Sequence, residues 1–463
     1  MRIGRFLLAL VVLVALPATA VETAKPSVAL LDVTVRTSSD WTVVKVWPGA
    51  IMGQRFVGLP RDVTVQRLAQ GWTIRSRPGA VRTVRITVIF EEGTLASPIH
   101  VAVAKGRRGA ASVTVRNISN AAFTAARVVN RLTRSGTRVI TVARTRSQFF
   151  GVAGPPLRKA DPERHVLAFY YPWFPSWSYD DPKLADRPLE RRGTVGPKEV
   201  LFHTQAARTV GIDGFIVSWA GESNWWANEN GLAFDNVLNA AGYVGGVGSV
   251  LIETIMANGS PDDPTKPSDP ATVNLWIRQA LARADHPAFL RSEGVPVIFV
   301  YQMTRLAPSV WRSILDDLAA DGLAVRLVGD APPWFYGSVA WGVYRYDVPP
   351  PYQLGFWSRQ NMYYQRMLAP ADAMGPRLFA ATVSPGYDDR NARGADRPVA
   401  PRGSNGERYA ASWTAAMTAA PDWVVITSWN EWFEGTAVQP SENFGDMASR
   451  QTADLASRFR SGG

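Results

Sequence analysis

The chain has 463 residues, no cysteine and a formal net charge of +11. With no thiol anywhere, disulfides, thiolate metal sites and cysteine nucleophiles are excluded. A hydrophobic content of 46% excludes global disorder, and the length suits a large core plus a second domain.

Arg2 and Arg5 precede an apolar run from Phe6 to Leu16, which is followed by Ala18-Thr19-Ala20. A basic start, a short apolar stretch and a small-x-small site describe a signal peptide over residues 1–20. Eleven apolar residues are too few to cross a bilayer as a helix, so the expectation is a secreted, extracytoplasmic protein with no transmembrane segment. Export of a cysteine-free chain fits a bacterial source.

Residues 27–150 alternate between apolar and polar positions and are rich in β-branched side chains. Trp41–Trp47, Val81–Val88, Ser112–Val115 and Arg138–Val142 are examples. Period-two alternation broken by Gly and Pro predicts a small all-β sandwich. Ala121–Arg134 departs from the pattern, and its spacing fits a short helix. The region is also strongly basic: Gly93–Ala160 holds no Asp or Glu but twelve Lys or Arg residues. Such a surface attracts polyanions such as an anionic wall polymer, although a solvated basic face needs no partner. Export makes nucleic acid the poorest fit. Nothing in this region assembles a catalytic set, so an accessory role is expected.

Residues 151–164, rich in Gly and Pro, read as a linker. Beyond it, residues 165–460 carry eight apolar strand candidates: Val166–Trp173, Gly214–Ala220, Gly248–Thr254, Val295–Tyr301, Leu323–Gly329, Trp341–Tyr346, Leu378–Val383 and Trp423–Trp429. Helical patterns separate many of them, at Lys198–Val210, Phe234–Ala241, Pro270–Ala284, Ser309–Ala320 and Gly406–Ala419. Continuous apolar strands alternating with helices predict an α/β architecture, a (β/α)8 TIM barrel. A doubly wound open sheet is the alternative, but no Gly-rich phosphate turn follows the first strand.

In such barrels the chemistry sits where strands end and βα loops begin. Those positions hold Tyr171, Trp173, Trp219, Glu253, Tyr301, Tyr346, Tyr387, Trp429, Asn430 and Trp432 as candidate substrate-binding residues. Aromatics and amides suit a neutral, hydroxyl-rich ligand, an oligo- or polysaccharide, although each aromatic alone is as well explained by core packing. Glu253 is equally well explained by an ion pair with an arginine; Arg393 and Arg402, on long loops, could touch an anionic substituent, although surface exposure is the better default. After the last strand comes Asn430-Glu431-Trp432-Phe433-Glu434. Glycoside hydrolysis ordinarily needs two carboxyl groups flanking the scissile bond, which makes Glu431 and Glu434 the candidate catalytic pair. Apolar neighbours and the proximity of a second carboxylate would keep one of them protonated as the acid. No His lies in a metal-ligand motif, and no metal or cofactor is called for.

The run Ile426–Pro440 (ITSWNEWFEGTAVQP) resembles the signature of glycoside hydrolase family 99, the endo-α-mannosidases and endo-α-mannanases. Phe169–Phe174, Gly211–Trp219 and Val383–Asp388 resemble further blocks of that family, in family order. The resemblance implies a retaining, endo-acting hydrolase of α-mannosidic linkages. It further implies that Glu431 deprotonates the sugar's own 2-hydroxyl, which attacks C1 to form a 1,2-anhydro sugar. Glu434 would then be the acid/base. The chain departs from the family at Phe433, where His is typical, at Gln439, where Glu is common, and in the loop Pro175–Asp181. Those departures put sugar and linkage in doubt. Two other readings stay open: a non-catalytic carbohydrate- or wall-binding protein, and a sugar transferase of surface-polysaccharide assembly. The second rests on a related family with the same Asn-Glu-Trp-x-Glu-Gly core.

Overall fold

The structure, a computed structural model, describes two stretches of the chain. The first is residues 28–143 without 48–50, 58–61, 69–70, 78, 80, 92–98, 118–126 and 133–135; the second is residues 163–462 without 224–231, 259–265, 332–335, 337–338 and 348–377. The leader at 1–20 and nearly all of the linker at 151–164 lie outside the described residues.

The first stretch forms ten strands: β1 (Val28–Thr37), β2 (Trp41–Trp47), β3 (Ile51–Val57), β4 (Thr64–Leu68), β5 (Gly71–Arg75), β6 (Arg82–Glu91), β7 (Ile99–Lys105), β8 (Ala111–Asn117), β9 (Arg127–Leu132) and β10 (Gly136–Ala143). They pair into two five-stranded sheets, ordered β3-β6-β1-β8-β9 and β10-β7-β2-β5-β4. Every pairing is antiparallel. Burial follows the pleat. Val33 and Val35, Val44 and Val46, Trp72 and Ile74, and Val101 and Val103 are buried, so alternate residues face a core. Of the segment Ala121–Arg134 expected as a short helix, residues 121–126 and 133–134 lie outside the described residues, and Arg127–Leu132 is instead a strand paired with β8. Its Arg127-Val128-Val129 segment is β-branched, and a free sheet edge outweighs a weak helical pattern.

In the second stretch eight parallel strands close on themselves. They are β11 (Val166–Tyr170), β12 (Gly214–Trp219), β13 (Val247–Glu253), β15 (Val295–Tyr301), β16 (Arg326–Asp330), β17 (Gly342–Tyr344), β18 (Leu378–Val383) and β19 (Trp423–Ile426). A two-residue strand, β14 (Arg291–Ser292), precedes β15 and pairs with it antiparallel. The hydrogen-bonded order β13-β12-β11-β19-β18-β17-β16-β15, with β13 also pairing β15, is a closed barrel of the (β/α)8 kind. The open-sheet alternative is thereby excluded. Around it lie α1 (Pro197–Thr209), α2 (Leu232–Val244), α3 (Pro270–Leu281), α4 (Pro308–Ala320), α5 (Arg390–Arg393), α6 (Glu407–Thr418) and α7 (Met447–Ser461). Among the described residues no helix is long and apolar enough to cross a membrane.

Strand alternation divides the burial into two cores. Val166, Ala168 and Tyr170, with Phe215, Val217 and Trp219, pack outward in one cluster with helix residues Phe234, Trp276 and Trp413. Leu167, Phe169 and Tyr171, with Ile216, Leu251, Phe299 and Tyr344, fill the barrel interior. The strands that fall furthest short of their apolar runs at the C-terminal end are β11, which stops at Tyr170, and β19, which stops at Ile426. Past those points the chain leaves the ladder to build loops, and that release frees their side chains for a site.

Candidate active site

The barrel's inward parity decides which strand-end residues meet. Tyr171 follows Phe169 on the inner face, Glu253 follows Leu251, and Tyr301 follows Phe299. These residues, with Trp173, Leu251, Ile255, Met256, Tyr346, Arg393, Glu431 and Glu434, line one cavity of about 220 Å³.

The loop after β19 is held from several sides. Asn430 clamps it to the end of β11: its Oδ1 accepts from the Tyr171 N–H at 2.8 Å, and its Nδ2 donates to the Tyr171 carbonyl at 2.8 Å. Ser428 Oγ accepts from the Glu431 N–H at 2.8 Å and pairs with Thr436 Oγ1 at 2.8 Å. Arg402, buried, donates from Nη2 to the carbonyls of Gly435 and Ala437, both at 2.7 Å. Two buried arginine bonds to backbone make that residue a brace for the loop, not the surface side chain its loop position suggests.

Glu431 is buried, and its Oε1 accepts from the Phe433 N–H at 3.1 Å. Burial, then the charge of Glu434, pushes its carboxyl well above the usual carboxylate range. Glu434 is also raised by burial, but the guanidinium of Arg393 opposes the rise. Arg393 Nη1 donates to Glu434 Oε1 at 3.0 Å and to Asp389 Oδ2 at 3.0 Å. On the other oxygen, Tyr346 donates to Glu434 Oε2 at 3.4 Å and pairs with the Tyr171 hydroxyl at 2.5 Å. Burial and the neighbouring carboxylates raise both phenols well above their ordinary value, so they remain O–H groups. Two neighbouring carboxyls taken out of water cannot both ionise cheaply, so the site favours protonation of the pair relative to two free glutamates.

Glu253 is the third acid of the cavity. Its partner is a serine, not an arginine: Ser218 Oγ donates to Oε1 at 2.6 Å. Burial outweighs that hydrogen bond and, with the Glu434 charge, raises its carboxyl to about 7. Among the described residues no group of three or more His, Cys, Asp or Glu is arranged to hold a metal ion.

Several expected binders are elsewhere. Trp219 is wholly buried on the outer face of β12, packed edge-on to Phe234, with Nε1 donating to the Trp276 carbonyl at 3.2 Å. It has the wrong parity, whereas its neighbour Ser218 points inward. Trp429 packs against Phe215 and His203 in the outer core, and Trp432 against Tyr179 beneath the loop. Neither lines the cavity, and Asn430 is spent on the Tyr171 backbone. Tyr387 stands behind the site, donating to Asp389 Oδ2 at 2.7 Å. Sequence reasoning missed Leu251, Ile255 and Met256 as cavity wall; Arg393 is half exposed, as its loop position suggests, and also reaches the cavity. Inward parity on β13 marks Leu251; Arg393 carries no local signal, because its partner lies 41 residues away.

The family model of glycosyl hydrolase family 99 matches residues 158–449. Glycoprotein endo-alpha-1,2-mannosidase of Rattus norvegicus is 22% identical over 325 residues, covering 59% of this chain and 67% of the rat protein. A glycoprotein endo-alpha-1,2-mannosidase-like protein of Homo sapiens is 24% identical over 302 residues, with 59% of this chain and 63% of the human protein covered. About a third of each relative's own length is therefore unmatched. The solved GH99 endo-alpha-mannosidase of Bacteroides thetaiotaomicron shares the fold, with a TM-score of 0.55 and 21% identity over 65% of this chain and 98% of that one. The family match takes in every barrel strand and both buried glutamates, and by it the chain belongs to glycosyl hydrolase family 99.

Proposed function

We propose that this protein is an exported, retaining, endo-acting hydrolase of α-linked, mannan-like glycans, with Glu431 and Glu434 as its reacting carboxyls. The observation that carries the reading is that both line one cavity, ringed by Tyr171, Trp173, Tyr301 and Tyr346. The mannosidic substrate class rests on the relatives, which are endo-alpha-1,2-mannosidases and endo-alpha-1,2-mannosidase-like proteins. Export rests on the leader pattern of residues 1–20.

In this scheme the carboxylate of Glu431 takes the proton of the 2-hydroxyl, and that oxygen bonds to C1 as the C1–leaving-oxygen bond breaks. Glu434 delivers a proton to the leaving oxygen. Water then adds at C1 as the C1–O2 bond breaks, losing its proton to Glu434, and the freed 2-oxygen recovers its proton from Glu431. Two inversions at C1 give net retention, a substrate-assisted form of the two-carboxyl mechanism. In the free protein burial disfavours the anion of Glu431, whereas Arg393 favours charge on Glu434. A hydrogen bond donated by the sugar's 2-hydroxyl would stabilise Glu431 as the anion that this scheme uses.

The test is a panel of α-mannans and other bacterial α-glycans, with products sized and their anomers followed by NMR. Internal cleavage with an α product first formed, lost in Glu434→Gln, is expected. Release of β product, or undiminished turnover by Glu434→Gln, rejects the reading. Polymer retention without new reducing ends supports a pure binding protein instead.

A further inference from the structure

A second cleft, of about 680 Å³, opens at one end of the sheet ordered β10-β7-β2-β5-β4. Three adjacent strands meet there: Lys105 at the end of β7 pairs with Gly136 of β10 and Thr42 of β2, beside Trp41. Its walls include Trp41, Lys105, Arg107, Arg108, Thr137 and Asp40. Three cations thus face one carboxylate. Asp40 Oδ1 already accepts from Ser39 Oγ at 3.1 Å and from the Trp41 N–H at 3.0 Å, while Lys105 Nζ donates to the Gly106 carbonyl at 2.8 Å. Arg107 and Arg108 are exposed and form no ion pair with a described residue.

The wall is built, not a loose turn. The β1–β2 turn and the β7–β8 turn are stapled together by Ser38 N–H to the Ala110 carbonyl at 2.8 Å, Ala110 N–H to Ser38 Oγ at 3.0 Å and Gly106 N–H to the Trp41 carbonyl at 3.1 Å. Gly106 lets the two turns approach closely: a β-carbon there would lie 2.9 Å from Trp41 Nε1 and closer still to Asp40 Oδ1, so those side chains would have to shift to admit one. The half-buried Trp41 ring and two guanidinium groups with no ion pair to a described residue are therefore presented from turns tied together by backbone hydrogen bonds.

From this we infer that the N-terminal sheets carry an accessory binding site for an acidic glycan, one whose pyranose rings bear carboxylates. The ring face of Trp41 supplies an apolar platform for the C–H face of a sugar, and Arg107 and Arg108 supply planar forks that match a carboxylate. A polymer of phosphodiester-linked alditols would satisfy the charges but offer nothing to the indole. The site is independent of the hydrolysis proposed above: it holds polymer at the sheets whatever the barrel cleaves.

The experiment is calorimetric titration of the full chain with oligogalacturonate, with inorganic polyphosphate and with a neutral mannan oligosaccharide. Wild-type protein, an Arg107→Ala/Arg108→Ala double variant and Trp41→Phe and Trp41→Ala variants are compared, each checked for an unchanged melting curve. Oligogalacturonate binding should weaken by roughly tenfold or more in the double variant and fall also in Trp41→Ala, with Trp41→Phe closer to wild type. Polyphosphate binding should ignore Trp41, and cleavage of any neutral substrate should be untouched by all variants. Oligogalacturonate affinity unchanged in the double variant overturns the site. Affinity that depends on the arginines but is equal for polyphosphate and blind to Trp41 reduces it to charge attraction and overturns the acidic-glycan reading. Should Trp41→Ala fail to fold, the arginine pair and the wild-type preference for oligogalacturonate over polyphosphate decide the matter: loss in the double variant with that preference supports the site, and equal affinity for both polymers overturns it.

Discussion

Arg393 and Glu434 are joined Nη1 to Oε1 at 3.0 Å, and the same guanidinium nitrogen holds Asp389 at 3.0 Å. The arginine is half exposed, whereas the Asp389 side chain is fully buried and that of Glu434 is 15% exposed. Glu434 therefore shares its cation with a fixed competitor, and the strength of that sharing sets how readily it accepts a proton.

Replacing Arg393 by Ala removes a group that favours the charged form of Glu434, so the carboxyl's pKa rises. If Glu434 works as the acid, it must be protonated to act, and the alkaline limb of the pH–rate profile moves upward. Solvent screening at a half-exposed arginine limits the move to about half to one pH unit. Arg393→Lys keeps the charge and should shift less. A profile whose acidic limb moves upward while the alkaline limb stays would make Glu434 the base.

The two glutamates separate by leaving group. On a polymer substrate, Glu431→Gln and Glu434→Gln should each lose about 10²- to 10⁴-fold in kcat. On a substrate with an activated aryl leaving group, which needs no protonation, Glu434→Gln should recover most of its rate and Glu431→Gln should not. Equal losses on both substrates would contradict the assigned roles.

Glu253 links the cavity to stability. Its carboxyl is raised from 4.5 to about 7, so between those values the folded chain binds more protons than the unfolded one. The stabilisation is complete below pH 4.5 and is lost as pH rises through about 7. Glu253→Gln, which stays neutral, should be more stable than wild type at pH 8 by up to about 3 kcal/mol and level with it near pH 4. Melting curves across that range check the sign.

Two tryptophans one barrel strand apart should behave differently. Trp173 lies partly exposed in the cavity wall, 4.8 Å centroid to centroid from Tyr171, so Trp173→Ala should raise KM about tenfold with little change in melting temperature. Trp219 is core, and Trp219→Ala should cost about 3–5 kcal/mol of stability while leaving KM of the surviving folded protein unchanged.

Most of the architecture was legible in the chain. Runs such as Val295–Tyr301 and Leu378–Val383 coincide with the strands observed, because a strand buried on both faces has to be apolar throughout. The sandwich-like alternation of β1, β2 and β7 was equally plain, whereas Arg127–Leu132 was misread, its short helical spacing outweighed by pairing with the preceding strand β8. The acidic pair at Glu431 and Glu434 announced itself by position, at the end of the last strand and among aromatics.

What the sequence by itself determined, then, was local: which segments are strands or helices, and which loop carries the two carboxyls. Tertiary structure alone decided which aromatics line the cavity. Trp219, Trp429 and Trp432 look as suitable as Trp173, yet the parity of each strand and the exit path of each loop turn them into the core. It also decided that Arg393 reaches Glu434, that Asn430 spends its amide on Tyr171, and that Ser218 is the partner of Glu253. Those contacts join residues 35 to 259 positions apart, and no pattern of near neighbours encodes a distance that only closing the barrel creates.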